Sequence, residues 1–427
     1  MTTLGTRVRL CLKDLYQQDI VEMIERETRR YELHSIEHPD HPDFGRAYQI
    51  LWDAFGPPGE MEPESAIRRF LLDDAFEPLP SGTFIRYFLL VAKDRDGNLR
   101  GVRDGSVIYN PRWAPDLCTV YLSHIFMLPP ARGTVLTYWL RIAPVELAIE
   151  YLFALQQRGL VNLPQPEQPA KYFGVQLNLA AEMEYFSPDD RLSLQRILFY
   201  GRGGFDVIDP RHFPYRQPDF RDAADIAATG NQPVPFMLLL RRMGRERQAR
   251  LPIDEAATTM RMLYDEFACF CPPEYLQNSI DVVQRRLEER RAKGKTDVAL
   301  LPLPTGAGNL HRLRRLFRYD IYRRYYADEP GTLPYVERLK PLIAANPRWF
   351  DEEVASLAAE LSRTPHFVYG SRDKRYAVEA IPPLPAEVDD SAASAEAALQ
   401  ASAASARSAE PAPTDAASAT RAEERRG

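Results

Sequence analysis

The sequence has few cysteines and no evident use for them as ligands or bridges. Four occur in 427 residues. Cys11, Cys118, Cys269 and Cys271 show no metal-type spacing, because Cys269 and Cys271 stand only two apart. They read as thiols of a reducing compartment rather than as a disulfide frame. No apolar stretch reaches the roughly 18 residues of a membrane helix, and no basic start followed by an apolar run marks a leader. A cytoplasmic protein is therefore expected. There is no excess of positive charge either: 54 Lys and Arg face 60 Asp and Glu, a net charge of −6. That balance speaks against a nucleic-acid partner. What the chain has is apolar material, 45% hydrophobic and 11% aromatic, enough for one large core or two moderate ones. Its 36 prolines cut that material into short elements.

Periodicity places the elements. Asp14 to Thr28 spaces its apolar residues as an amphipathic helix, and Tyr31 to Ile36 is strand-like. Phe44 to Phe55 and Glu64 to Asp74 return to helical spacing. From Phe84 the period changes to that of strands: Phe84 to Ala92, a turn at Asp94 to Asn98, Leu99 to Tyr109, then Cys118 to Leu128. Thr134 to Gln157 is a long apolar helix with Pro144 as a kink. Strand, helix, strand and strand follow at Lys171 to Ala181, Asp189 to Tyr200, Phe205 to Asp209 and Pro235 to Arg241. This order predicts an α/β fold, a mixed central sheet flanked by helices, over residues 1–250, with a helical extension at 1–29. Residues 251–380 read as mainly helical. Residues 381–427 are Ala, Ser, Glu and Pro with almost no large apolar residue. Such a tail cannot offset the entropy of ordering and is expected to be disordered.

One segment carries chemistry. The apolar strand ending at Met127 runs into Pro129-Pro130-Ala131-Arg132-Gly133-Thr134-Val135-Leu136-Thr137, and a helix starts at once. A strand–turn–helix of this kind aims unpaired N–H groups and a helix dipole at one point, which suits an anion such as a pyrophosphate. No Gly-Lys-Ser/Thr follows, so it is not a Walker loop. The segment resembles the Pro-x-x-Arg/Gln-Gly-x-Gly-x-Gly/Ala loop of the GNAT superfamily of acyl-CoA N-acyltransferases. Tyr200-Gly201-Arg202-Gly203-Gly204-Phe205 is similar to that family's Tyr-x-x-x-Gly-Phe, and Pro233 to Leu240 to its last strand. Val135 stands where the family has a second glycine, and Thr137 at its third small position.

The resemblance implies a GNAT-like fold in which two neighbouring strands splay apart to receive the pantetheine arm of acyl-CoA. It implies acetyl-CoA as the expected co-substrate and an amine as acceptor, a small molecule or a protein, with no metal. Met127, Arg132, Gly133, Thr134, Val135 and Thr137 would line the cofactor site. Tyr200 would protonate the departing thiolate, since a phenol within hydrogen-bond reach can neutralise the charge developing on sulfur. Ser123 and His124 occupy the neighbourhood of the base that the attacking amine needs, and His124 could serve directly. The alternative, motivated by Val135 and the helical region, is a catalytically silent scaffold meeting a protein partner or a second copy of itself through residues 251–380.

Other patterns read as structure. His34, His38 and His41, separated by prolines, suit a surface loop better than a metal cluster. The Arg and aromatic residues from Arg312 to Tyr326 fit an amphipathic helix. Leu303 to Asn309 looks like a helicase phosphate loop without its lysine.

Overall fold

The computed structural model describes residues 26, 28–57, 59–132, 134, 136–165, 174–188, 191–221, 223–246, 248–326 and 333–363, all within the unit Met1–Pro382. The expected tail at 381–427 and nearly all of the expected helix at Asp14 to Thr28 lie outside the described residues, as do Gly133 and Val135.

Strand β1 (Tyr31–Ile36) is followed by helices α1 (Phe44–Phe55) and α2 (Glu64–Leu72), then by β2 (Phe84–Asp94), β3 (Leu99–Tyr109), β4 (Leu117–Tyr121) and β5 (Ile125–Met127). Helix α3 (Leu136–Gln157) leads to β6 (Gln176–Met183), α4 (Arg191–Arg202), β7 (Asp206–Ile208), β8 (Tyr215–Gln217), α5 (Ala223–Thr229) and β9 (Val234–Arg242). Beyond them come β10 (Arg250–Pro252), α6 (Ile253–Phe267), α7 (Pro273–Ala292) and β11 (Asp297–Pro302). A 3-10 segment (Ala307–Leu316), α8 (Arg318–Tyr325), α9 (Leu333–Ala345) and α10 (Trp349–Arg363) complete the order. The strands form one mixed sheet in the order β1-β2-β3-β4-β6-β9-β7-β11-β10, with β5 paired to β3 and β8 to β9. The sheet does not end near residue 250: β11 pairs with β7, an element the helical reading of 251–380 missed.

Alternation along the strands assigns two faces. On one, Val107, Tyr109, Cys118, Val120, Leu179 and Ala181 pack on α3, α4 and the C-terminal helices. On the other, Ile108, Tyr121, Ala180 and Leu240 pack on α6 and α7, while Leu89, Val91 and Val102 meet α1 and α2. Helix α1 presents a stripe of Phe44, Ala47, Tyr48 and Leu51 to that core, the spacing of one helical face. Helix α3 is buried on most sides, Pro144 included, as its apolar composition requires.

The expected strand Cys118 to Leu128 is interrupted. Strands β4 and β6 run parallel from Leu117/Gln176 to Tyr121/Ala180, and the Leu122 N–H still donates to the Ala180 carbonyl at 2.8 Å. Past that point no ladder joins them among the described residues: β5 pairs with β3 from Ile125/Arg103 to Met127/Gly101, while β6 runs on to Met183 against β9, its neighbour on the other edge from Asn178 onward. Two local causes lie opposite the break. The Asp104 carboxylate accepts the His124 backbone N–H at 2.8 Å, so a side chain replaces a ladder partner. Gly105 has φ of +152°, and a Cβ there would sit 2.1 Å from the Tyr121 carbonyl oxygen; only glycine admits this approach.

Candidate functional site

The gap between β5 and the end of β6 is the centre of the site, and different residues reach it from the two faces. On the α3/α4 face stands Tyr200, nearly buried at 8% exposure. Its placement explains the Tyr-x-x-x-Gly-Phe pattern physically. The Phe205 N–H donates to the Tyr200 carbonyl at 3.2 Å and the Gly204 N–H to the Gly201 carbonyl at 3.0 Å. Gly204 is left-handed, φ +76°, and the Phe205 ring lies 5.2 Å from that of Tyr200 at 80°. These are the paired bonds, the glycine and the apolar contact of a Schellman helix end. They lock Tyr200 to the start of β7. The Arg103 guanidinium lies beside its phenol.

The loop from β5 to α3 closes largely on itself. Pro129–Ala131 form a 3-10 turn. The Arg132 N–H donates to the Pro129 carbonyl and the Thr134 N–H to the Ala131 carbonyl, both at 3.3 Å, and the Thr137 N–H to the Thr134 carbonyl at 3.5 Å. Bonds this long are weak, and an anion could displace them. The Thr134 hydroxyl donates to the Ala131 carbonyl at 2.8 Å and accepts the Leu136 N–H at 3.4 Å. Arg132 is exposed, its Nε donating to the Met127 carbonyl at 3.0 Å, with its guanidinium 5.5 Å from the centre of the Phe126 ring. Met127 and Thr137 are half-buried. Arg132, Thr134, Thr137 and Met127 are thus brought together at the mouth of the gap.

On the opposite face lies a buried acidic cluster, called the chamber below, that sequence reasoning missed. It gathers Glu62 from the α1–α2 loop, Asp104 from β3, Glu182 from β6 and Glu266 from α6 around His124. His124 Nδ1 meets Asp104 Oδ1 at 3.0 Å, Nε2 meets the Glu60 carbonyl at 2.8 Å, and the Phe55 ring covers it at 4.7 Å. Both ring nitrogens therefore face acceptors. Burial disfavours its charge, but Asp104, Glu62 and the Glu60 carbonyl outweigh that and hold the pKa at about 9. An imidazolium with both N–H groups engaged has no lone pair to offer. His124 is the cation of the chamber, and the direct base role read from the sequence does not suit this geometry. Ser123, half-buried in the β4–β5 link, flanks it.

The carboxylates differ in their surroundings. Burial pushes Glu62 up to about 7, with His124 opposing and Asp104 adding. Burial likewise raises Glu182, although the Tyr121 hydroxyl donates to it at 2.6 Å and Gln217 Nε2 at 2.9 Å, with the Tyr215 hydroxyl a third donor. Glu266 is raised well above its ordinary value by burial and by Glu62, Glu182 and Asp104. Its Oε1 accepts the Ser106 hydroxyl, while Oε2 has no partner among the described residues. The Tyr87 hydroxyl donates to Asp104 at 3.0 Å. Glu62, Glu182 and Glu266 share one low-dielectric neighbourhood, and each disfavours charge on the others. A carboxyl poised near 7 is suited to take a proton at neutral pH.

The other sequence candidates stay structural. His34 Nε2 meets Glu32, while His38 and His41 Nδ1 accept the Asp40 and Asp43 N–H groups. No group of His, Cys, Asp and Glu that could hold a metal occurs among the described residues. In the Leu303-to-Asn309 loop, the Asn309 side chain accepts the Thr305 and Gly306 N–H groups, so that loop serves its own turn. No helix among the described residues is long and apolar enough to cross a membrane.

No family model matches the sequence, and no curated protein does. Among solved structures, the chain is similar to an acetyltransferase of the GNAT family from Staphylococcus aureus Mu50. Identity there is 13% and the TM-score 0.26, over 49% of this chain and 99% of that one. It is also similar to a GNAT superfamily phosphinothricin acetyltransferase from Sinorhizobium meliloti, solved in complex with AcCoA. There the values are 14% and 0.25, over 51% and 90% of the two chains. The likeness thus extends over about half of this chain.

Proposed function

We propose that the chain transfers an acyl group from acyl-CoA to an amine. The observation that carries this reading is the parting of the parallel strands β4 and β6 after Tyr121/Ala180, with a phenol on one face of the gap and a buried base on the other. The exposed edges past the break offer backbone groups to an extended, amide-bearing chain such as pantetheine. The pyrophosphate would lie on the turn before α3, against Arg132, Gly133, Thr134, Val135 and Thr137.

The chemistry follows from the two faces. The acceptor enters as an ammonium, drawn by the acidic chamber, and passes a proton to Glu62. The freed amine attacks the thioester carbonyl, an N–C bond forms, the C–S bond breaks, and the sulfur takes the Tyr200 proton; the second proton that the nitrogen sheds restores the phenol, and Glu62 releases the first to solvent. His124 pairs with Asp104 and limits the net charge of the cluster. Acetyl-CoA is the simplest donor for a first assay. Saturating CoA or acetyl-CoA should raise the melting temperature by mass action, by about 2.7 kcal/mol of stability at one hundred times Kd. Titration of both ligands to millimolar concentration without any shift would refute the reading.

A further inference from the structure

We propose that Arg103 and Arg141 form a buried anion site for a carboxylate at the far end of the transferred acyl group, making the donor the CoA monothioester of a short dicarboxylic acid. This rests on the acyltransferase reading and extends it to the class of acyl group.

The two guanidiniums are the anomaly of the donor face. Arg103 is 0% and Arg141 1% exposed. All three nitrogens of Arg141 lack a hydrogen-bond partner among the described residues, and what Arg103 has within reach is the Tyr200 phenol. Burial lowers Arg103 to about 10, with Arg141 adding to the shift and Tyr200 and, more weakly, Asp104 opposing it. Asp104, the next residue, is committed to His124 and Tyr87 on the opposite face. What meets the charges instead is aromatic: the Arg141 Cζ lies 3.9 Å from the centre of the Phe199 ring and 5.4 Å from that of Tyr138. Ring faces return only a small part of the hydration that a buried guanidinium loses. Two such groups side by side call for an anion.

Their position says which anion. Arg103 lies opposite Ile125 on β5, one arm of the gap, and beside the Tyr200 phenol. Arg141 is held against the end of α4, where a Cβ on Gly203 would come within 2.7 Å of its Nη1. Both sit beneath the place where the thioester would lie, whereas the CoA phosphates belong at the exposed mouth with Arg132. A carboxylate a few methylenes beyond the carbonyl could accept from both forks at once. An acetyl group offers them nothing. The reaction remains balanced: amine and monothioester give an amide that keeps its free carboxylate, CoA thiol, and one proton released from the ammonium.

The test is calorimetric titration of the full chain with CoA, acetyl-CoA and succinyl-CoA, repeated for Arg103→Met and Arg141→Met, with circular dichroism to check folding. Succinyl-CoA should bind at least 10-fold tighter than acetyl-CoA. Each substitution should erase about 10- to 150-fold of that preference, the range for a charge-assisted hydrogen bond. Equal binding of the two thioesters by the unaltered chain overturns this inference and leaves acyl transfer standing, whether or not the variants fold. An equal loss for all three ligands in the variants assigns the arginines to the phosphates and also overturns it. Absence of binding by all three sinks the acyltransferase reading and takes this inference with it.

Discussion

Replacing Glu62 by glutamine should stabilise the protein, and by an amount that depends on pH. In the unfolded chain this carboxyl ionises near 4.5; in the folded chain, buried at 6% exposure, it does so near 7. At about 1.4 kcal/mol per pKa unit, the folded state bears a cost of about 3 kcal/mol once Glu62 is charged. Below pH 4.5 both states hold the proton and nothing is lost. As pH rises from 4.5 to 7 the unfolded chain sheds its proton first, so the native protein loses stability, and above pH 7 the cost is complete. The amide of the Glu62→Gln variant has no proton to lose. Urea unfolding of both forms from about pH 4 to about pH 8 should show the variant's advantage growing from near zero to about 3 kcal/mol. The same variant should lose about 10²- to 10⁴-fold in kcat if Glu62 is the base, along with the rise in kcat/KM near pH 7. A pH-independent stability difference would refute the electrostatic argument. An unchanged rate would remove Glu62 from catalysis while leaving the stability result intact.

Tyr200→Phe keeps the ring against Phe205 and removes only the hydroxyl; kcat should fall while the Kd for CoA by titration stays within about twofold, and equal loss in both would assign the phenol to binding. Gly204→Ala should cost about 1–2 kcal/mol, because φ of +76° penalises any Cβ while the nearest atom, Arg241 Nε, is an ordinary 3.5 Å away. Gly204→Asn should cost less, since Asn tolerates that region, and equal unfolding midpoints for all three forms would dispose of the Schellman account. Glu255 accepts from Arg242, Arg245 and Asn178, which holds its pKa down despite burial. Glu255→Ala leaves those arginines without their carboxylate and should cost about 3–5 kcal/mol by urea unfolding at about pH 7. That deficit should shrink as acid protonates Glu255 in the native protein. A deficit constant down to about pH 3 would count against the ion-pair argument.

The elements with strong period were readable from the sequence: Tyr31–Ile36, Phe44–Phe55 and Leu99–Tyr109 coincide with their observed spans. The break inside Cys118 to Leu128 was not, because its cause is a side chain twenty residues earlier, Asp104, and a carbonyl approach at Gly105. Periodicity reports burial and is blind to which neighbour a strand pairs with. Strands β8 and β10, three residues each, escaped for the same reason, and the six-residue β11 lay in a region read as helical. Of the site, Tyr200 was legible because its motif is local, a helix end written in six consecutive residues. The chamber was not, since Glu62, Asp104, Glu182 and Glu266 are far apart in the chain and meet only through topology. A faint signal existed: Glu182 is an acid in the largely apolar run Leu179 to Met183, where a charge needs a reason.

Arg103 and Asp104 are neighbours in the chain, and the pleat of β3 sends them to opposite sides of one layer of backbone. The sheet is thus a polarised partition a single strand thick, positive toward α3 and α4 and negative toward α1 and α6. In the proposed reaction, an ammonium and an acyl-CoA would be sorted by sign before either is tested for shape. They would meet where the β4–β6 ladder ends, after Tyr121. An enzyme built this way should hold both reactants at once and pass the acyl group directly between them. Initial-rate plots would then intersect, as for a ternary complex, rather than run parallel.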